Sequence, residues 1–211
     1  MSHSPAKAAA GALAEAPHVR LHEVQLLSDD WYVLRKIGFE LRRRDGSWQR
    51  MSREAYDRGH GAVLLLFNPE RCTVVLTRQF RMPVFINGGN DGYLIEACAG
   101  LLDGDDPESC IRREVEEETG YRIRAPRRIF EAFMSPGSVT ERLHFFVAEY
   151  EHADRVQGGG GVPSEGEDIE VIEMSLQEAL RAVADGRICD GKTIMLLQHV
   201  ALDRAAAKGA I

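Results

Sequence analysis

The stretch from Tyr93 to Tyr121, YLIEACAGLLDGDDPESCIRREVEEETGY, constrains this chain more than any other. It opens as a strand, YLIEACAG, passes through a turn rich in Gly and Asp, and continues as a helix marked at both ends. Asp106 stands at the N-cap and Pro107 at the first helical position, where a missing N–H does no harm. Gly120 supplies the left-handed conformation that ends a helix. A strand that feeds a helix through so short a turn must share one core with it. The helix itself carries a conflict, because Glu114, Glu116, Glu117 and Glu118 fall within two turns and like charges at that spacing repel.

Projection at 100° per residue separates the four glutamates. Ile111 and Val115 define the buried side. Glu116 follows Arg112 by four residues and Glu117 follows Arg113 by four, so each is expected to have a cation beside it. Glu114 and Glu118 instead face each other at the apolar border, with no basic residue on their stripe. Such a pair costs ~0.2–0.5 kcal/mol in water and more when partly desolvated. A solvated acidic face is the ordinary explanation for a Glu-rich helix. The alternative is a divalent cation held between the two, and the preceding strand and glycine turn favour it by bringing backbone carbonyls alongside. Oxygen donors with no His or Cys nearby select Mg²⁺, Mn²⁺ or Ca²⁺ over zinc.

The rest of the chain frames this unit. Residues 1–17 are mostly small and without packing pattern, and are expected to form a disordered tail. Residues 18–58 hold strand-like runs, WYVLRKIGFELRRR and SWQRMSREAY, separated by the hairpin dipeptide Asp45-Gly46. They predict a small antiparallel sheet, too small to be stable alone and therefore a dimerisation unit. Residues 59–206 hold GAVLLLFN and CTVVLTRQF joined at Pro69, the loop INGGNDG, the strand and helix above, the strands RIFEAFM, LHFFVAEY and DIEVIEM, and helices near 176–185 and 192–206. Residues 207–211 are assigned to a C-terminal tail, and QGGGGVPSEGED reads as a mobile surface loop. The predicted class is α+β, an α/β/α sandwich around a mixed sheet with the antiparallel unit appended.

A net charge of -7 and the lack of an apolar run of bilayer length argue against nucleic-acid and membrane partners, and the chain is read as cytoplasmic. Its four cysteines are scattered and are expected to be reduced thiols. At the end of one strand, Arg78 and Arg81 bracket Phe80; contacts to a diphosphate or pairs with surface carboxylates explain them equally well. GRICDGKT, residues 186–193, matches the phosphate-loop pattern G-x4-G-K-T, but a helical run precedes it where such a loop requires a strand. We read that match as accidental.

On these residues the chain resembles a known family. AGLLDGDDPESCIRREVEEETGY is similar to the Nudix box, G-x5-E-x7-R-E-U-x-E-E-x-G-U, through Arg113, Glu114, Val115, Glu117, Glu118, Gly120 and Tyr121. It departs in the first half, where Asp106 replaces the loop Glu and the spacing to Arg113 is one residue short. The segments EAYDRGHGAVLLLFN, VVLTRQFR, LIEACAGLLD, FMSPGSVTE, HFFVAEY, GGGV, EDIEV and DGKT carry the resemblance into the nucleotide-sugar branch, nearest to the bacterial GDP-mannose pyrophosphatases.

The resemblance implies a Nudix-like mixed sheet and an Mg²⁺-dependent hydrolase, Mn²⁺ being a substitute, that splits the diphosphate of GDP-mannose into GMP and mannose 1-phosphate. ADP-ribose or another nucleotide sugar is the alternative substrate, and a non-catalytic nucleotide sensor the alternative of another class. It implies Glu114 and Glu118 as metal ligands with the carbonyl of Ala99, Glu117 as an auxiliary ligand and Arg113 as the residue orienting the carboxylates. Glu167 would be the remaining ligand and general base, with Glu165 its rival because the loop is longer than the pattern. Substrate contacts are implied for Trp31, Arg53, Glu54, Arg81, Ala99, Gly100, Leu101, Glu118, Glu141 and Lys192. Ser52 stands where the pattern expects Lys. A homodimer is implied, each N-terminal sheet covering the partner's site.

Overall fold

The computed structural model describes residues 16–88, 91–207 and 209. The expected N-terminal tail and most of the C-terminal one therefore lie outside the described residues. The chain divides into two compact units, residues up to 60 with 133–142, and residues 61–132 with 143–211.

The first unit is a three-stranded antiparallel sheet in the order β1 (Val19–Asp29), β2 (Val33–Arg42), β3 (Trp48–Asp57). Its β2–β3 hairpin closes at the predicted dipeptide: Gly46 takes φ +88°, which a residue with a Cβ resists, and the Asp45 side chain accepts from Ser47 N at 2.9 Å. Residues 133–142 join this unit through Tyr56, whose N–H donates to Ser138 O at 2.8 Å and whose carbonyl accepts from Thr140 N at 3.0 Å.

The second unit is organised on a mixed seven-stranded sheet in the order β10-β5-β4-β9-β8, with β6 paired to β5 and β7 to β4. Its strands are β4 (Gly61–Asn68), β5 (Thr73–Phe80), β6 (Tyr93–Glu96), β7 (Cys98–Leu101), β8 (Arg127–Phe133), β9 (Arg142–Glu149) and β10 (Glu170–Ser175). Central β4 is buried along its whole length, which explains its unbroken apolar run. Ala62, Leu64 and Leu66 point into a core closed by Ile111 and Val115 of α2 (Pro107–Thr119), and α4 (Gly191–Ala207) also packs on β4. Each fully buried Leu or Ile in this core contributes about 1.5–3 kcal/mol. Helix α3 (Leu176–Ala184) packs against α4 and β10.

Three local expectations change. The run MPVFI forms a short helix, α1 (Met82–Ile86), that its isolated Pro83 does not announce. The strand YLIEACAG is two strands: at Ala97 the chain leaves its ladder with β5 and takes up one with β4. Arg112 does not pair with Glu116. Its guanidinium turns the other way, to Glu108 at 2.8 Å and to the carbonyl of Ile123 at 2.7 Å, while Glu116 pairs with Arg122 at 2.7 Å. All four cysteines are free. Among the described residues no helix is long and apolar enough to cross a membrane.

Candidate active site

The site grows from α2. Asp106 caps the helix, accepting from Glu108 N and Ser109 N at 3.1 Å, and Gly120 ends it at φ +79°. Because Ile111 and Val115 are drawn fully into the core, Glu114 and Glu118 are carried to its edge. Glu118 goes further than an edge position: it is only 3% exposed, and its Oε2 has no hydrogen-bond partner. Burial pushes its carboxyl up to about 8. The Cys98 thiol counters that rise, Glu114 and Glu167 reinforce it, and Arg81 pulls back.

Glu114 lies against the backbone of β7. A Cβ on Gly100 would fall 2.2 Å from the Glu114 carboxyl carbon, so only glycine leaves the carboxylate its place. Of Ala99, Gly100 and Leu101, consecutive on β7, Gly100 is the one that meets it. Arg113 reaches sideways to Glu114 at 2.9 Å and along the helix to Glu117 at 3.4 Å, so one arginine tethers two carboxylates. The projection, which finds no cation on the Glu114 stripe, overlooks the reach of this neighbouring side chain.

The glycine run has partners that its composition does not announce. The first half of this exposed loop is laid on the end of α2, where four carbonyls lack helical partners. Gln157 Nε2 donates to Glu116 O at 2.8 Å, Gly161 N to Glu117 O at 3.1 Å and Gly160 N to Glu118 O at 2.9 Å. The approach is so close that a Cβ on Gly159 would meet Glu118 O at 2.6 Å. Beyond it, Glu167 folds back on its own loop, Oε2 accepting from Val162 N at 2.8 Å. The side chain of its rival, Glu165, lies outside the described residues.

On the other flank stands a group that the sequence reading missed in part. Arg81 sets Nε and Nη2 on the two oxygens of Glu96, at 2.7 and 3.1 Å, and Lys192 pairs with the same carboxylate and with Asp190 at 3.0 Å. Burial opposes the charge on Glu96, yet Lys192 and Arg81 outweigh it and hold the carboxyl below its ordinary value. Glu96 is 1% exposed. A Glu inside the apolar run LIEACA was the available signal, since a buried charge requires partners. Arg78 resolves the other way, pairing with Asp91 and Glu170 at 3.3 Å. The segment resembling a phosphate loop follows α3 rather than a strand, and its Lys192 is engaged by Glu96.

Four expected contacts belong to the first unit. Trp31 is 74% exposed, edge-on to Tyr32, and Arg53 and Glu54 line a cavity of about 440 Å³ with Lys36 and Ser52. Glu141 is buried against Arg58 at 3.3 Å. A larger cavity in the second unit, about 640 Å³ between the ends of β4, β9 and α4, holds none of the expected site residues.

Among the described residues no three acidic, His or Cys side chains close on one point. The second unit nevertheless fits a divalent cation. It offers an orphaned, buried carboxylate oxygen on Glu118 and two further carboxylates whose charge Glu118 feels, although the expectation of no Cys nearby is corrected by the Cys98 thiol, which hydrogen-bonds to Glu118.

Residues 57–197 match the family described as NUDIX domain, and residues 18–56 match the GDP-mannose pyrophosphatase NudK N-terminal domain. The chain is 56% identical over 187 residues to a GDP-mannose pyrophosphatase of Pectobacterium atrosepticum, covering 89% of this chain and 96% of that one. It is 56% identical over 176 residues to one of Klebsiella pneumoniae, covering 83% and 88%, and 52% identical over 182 residues to one of Salmonella typhimurium, covering 86% and 94%. With its helix carboxylates, its glycine-backed strand and the match over most of its length, this chain belongs to the Nudix family.

Proposed function

We propose that this chain hydrolyses the diphosphate bond of a nucleoside diphosphate sugar with Mg²⁺, and that GDP-mannose is split into GMP and mannose 1-phosphate. The observation that carries this reading is Glu118, buried with an unpartnered oxygen beside Glu114 and Glu167 and close enough to Arg81 to feel its charge. Glu114 and Glu118 would hold the ion, with Glu167 and the Ala99 carbonyl available to complete the set. When bound, Mg²⁺ neutralises diphosphate charge and makes a water molecule easier to deprotonate. The chain supplies the rest. Arg113 restrains Glu114 and Glu117, while Arg81 and Lys192 present two cations to the phosphates. Glu167, on a loop tied to the helix end, takes the proton from the attacking water.

Trp31, Arg53 and Glu54 of the first unit would recognise base and sugar from a second copy of the chain, and Glu141 would be a further substrate contact. The apolar residues Leu21, Val24, Leu26 and Leu27 that β1 exposes support such a homodimer. Light scattering should give twice the chain mass, and a monomer at micromolar concentration would refute the arrangement.

A panel of GDP-mannose, ADP-ribose and other nucleotide sugars, incubated with Mg²⁺ or with EDTA and resolved by mass, tests the activity. GDP-mannose should be consumed fastest, with turnover abolished by EDTA. ¹⁸O-water identifies the phosphorus attacked. Faster cleavage of ADP-ribose would transfer the assignment to that substrate, and tight binding without turnover would favour a sensor.

A further inference from the structure

We infer that Glu96 is a positioning residue, the shared counter-ion that aims Arg81 and Lys192 together at the diphosphate. The inference rests on the reading above and assigns a role to a side chain outside the carboxylate helix. Glu96 closes β6 just where the chain changes ladders, and Ala97 N is fixed by Thr193 Oγ1 at 2.7 Å, itself bonded to Asp190 at 2.5 Å. This pins the first turn of α4, and with it Lys192, to the strand junction. From below, one carboxylate then joins the end of β5 to the start of α4: both of its oxygens face Arg81, and one also takes Lys192.

The burial is unequal in a telling way. The Glu96 side chain is 2% exposed, Lys192 14% and Arg81 39%, so the carboxylate is the base of the cluster and the cations are its open side. Arg81 spends Nε and Nη2 on Glu96, and Nη1 is not used by it. Stability alone is a poor reason for such an arrangement, because buried ion clusters are often matched or bettered by apolar residues of similar volume. A pre-set pair of cations is a good reason, since a ligand then binds without first ordering two long side chains.

The test is a double-mutant cycle on the full-length protein, read as KM and kcat for GDP-mannose. Glu96→Gln keeps the shape but turns an acceptor into a donor facing two cations. It should raise KM about 10- to 100-fold while kcat changes less than about threefold, as expected when binding common to ground and transition states is lost. In an Arg81→Ala, Lys192→Ala background the same substitution should change KM by less than about twofold, because nothing remains for Glu96 to aim. A full-sized loss in that background, or an unchanged KM in the single variant, overturns the inference. If Glu96→Gln gives no cooperative melt, Glu96→Asp, which keeps the charge but is one methylene shorter, replaces it in the cycle under the same two criteria. If the wild type turns over no nucleotide sugar, the proposed activity falls, and calorimetric binding of GDP across the same cycle decides the role of Glu96 by itself.

Discussion

Glu118→Gln is expected to lower kcat by at least about 10³-fold and, without metal, to raise the melting temperature. Loss of an outer-shell partner of a metal site typically costs 10- to 100-fold, and a direct ligand should cost more. The stability effect follows from the carboxyl being pushed up to about 8 by burial among like charges. In the unfolded chain that proton leaves near the ordinary carboxylate value. The folded chain keeps it, so the ion-free protein loses stability as pH climbs from about 4.5 to about 8. The loss is on the order of several kcal/mol. Glutamine has no proton to lose in that window, and a bound cation removes the penalty by a different route. Melting curves at pH 6 and pH 8, with EDTA and with Mg²⁺, should therefore show three things. Wild type falls at pH 8 in EDTA, Mg²⁺ restores it, and the variant responds to neither. Wild-type turnover in the variant, or an equal Mg²⁺ response in both proteins, would remove Glu118 from the ligand set.

Gly100→Ala should lower kcat by about 100-fold with little change in melting temperature. The added methyl would sit 2.2 Å from the Glu114 carboxyl carbon, where about 3.5 Å is needed, so the carboxylate must retreat by roughly 1 Å. A displacement of that size in a catalytic group is enough for such a loss. Folding is spared because Gly100 is not among the glycines with positive φ, and because the atoms that yield are the far end of a flexible side chain. Steady-state kinetics with a parallel thermal melt checks both halves. A variant that melts far below wild type would mean that the strand, rather than the carboxylate, gives way.

Local signals were legible in the sequence where the responsible contacts are local. The capping of α2 by Asp106 and Gly120, the Asp45-Gly46 hairpin and the buried run of β4 each depend on a few consecutive residues. The facing pair Glu114 and Glu118 was legible for the same reason, because helical spacing alone sets it. What escaped the reading depends on partners distant in sequence. Ala97 divides a seemingly continuous strand because Thr193, 96 residues later, takes its N–H. Arg112 abandons Glu116 because the chain after Gly120 returns to offer it the carbonyls of Ile123 and Arg124. The anchoring of the glycine run escaped the reading because composition records the freedom of a backbone and not the partners of its amides, which here lie at a helix end.

That use splits the loop before Glu167 into two segments with different tolerance to change in length. Between Val156 and Gly161 the amides of Val156 and Gln157 donate to the carbonyl of the capping Gly120, and those of Gly160 and Gly161 to the carbonyls of Glu118 and Glu117, so an inserted residue would slide the register and strip the helix end of donors. Between Val162 and Gly166 no such commitment to α2 appears among the described residues, and a residue gained there would leave the helix intact while resetting the reach of the Glu167 carboxylate. Relatives that differ in this loop should therefore differ on the far side of Gly161, so that small length variation there tunes the last acidic group independently of the two fixed on α2.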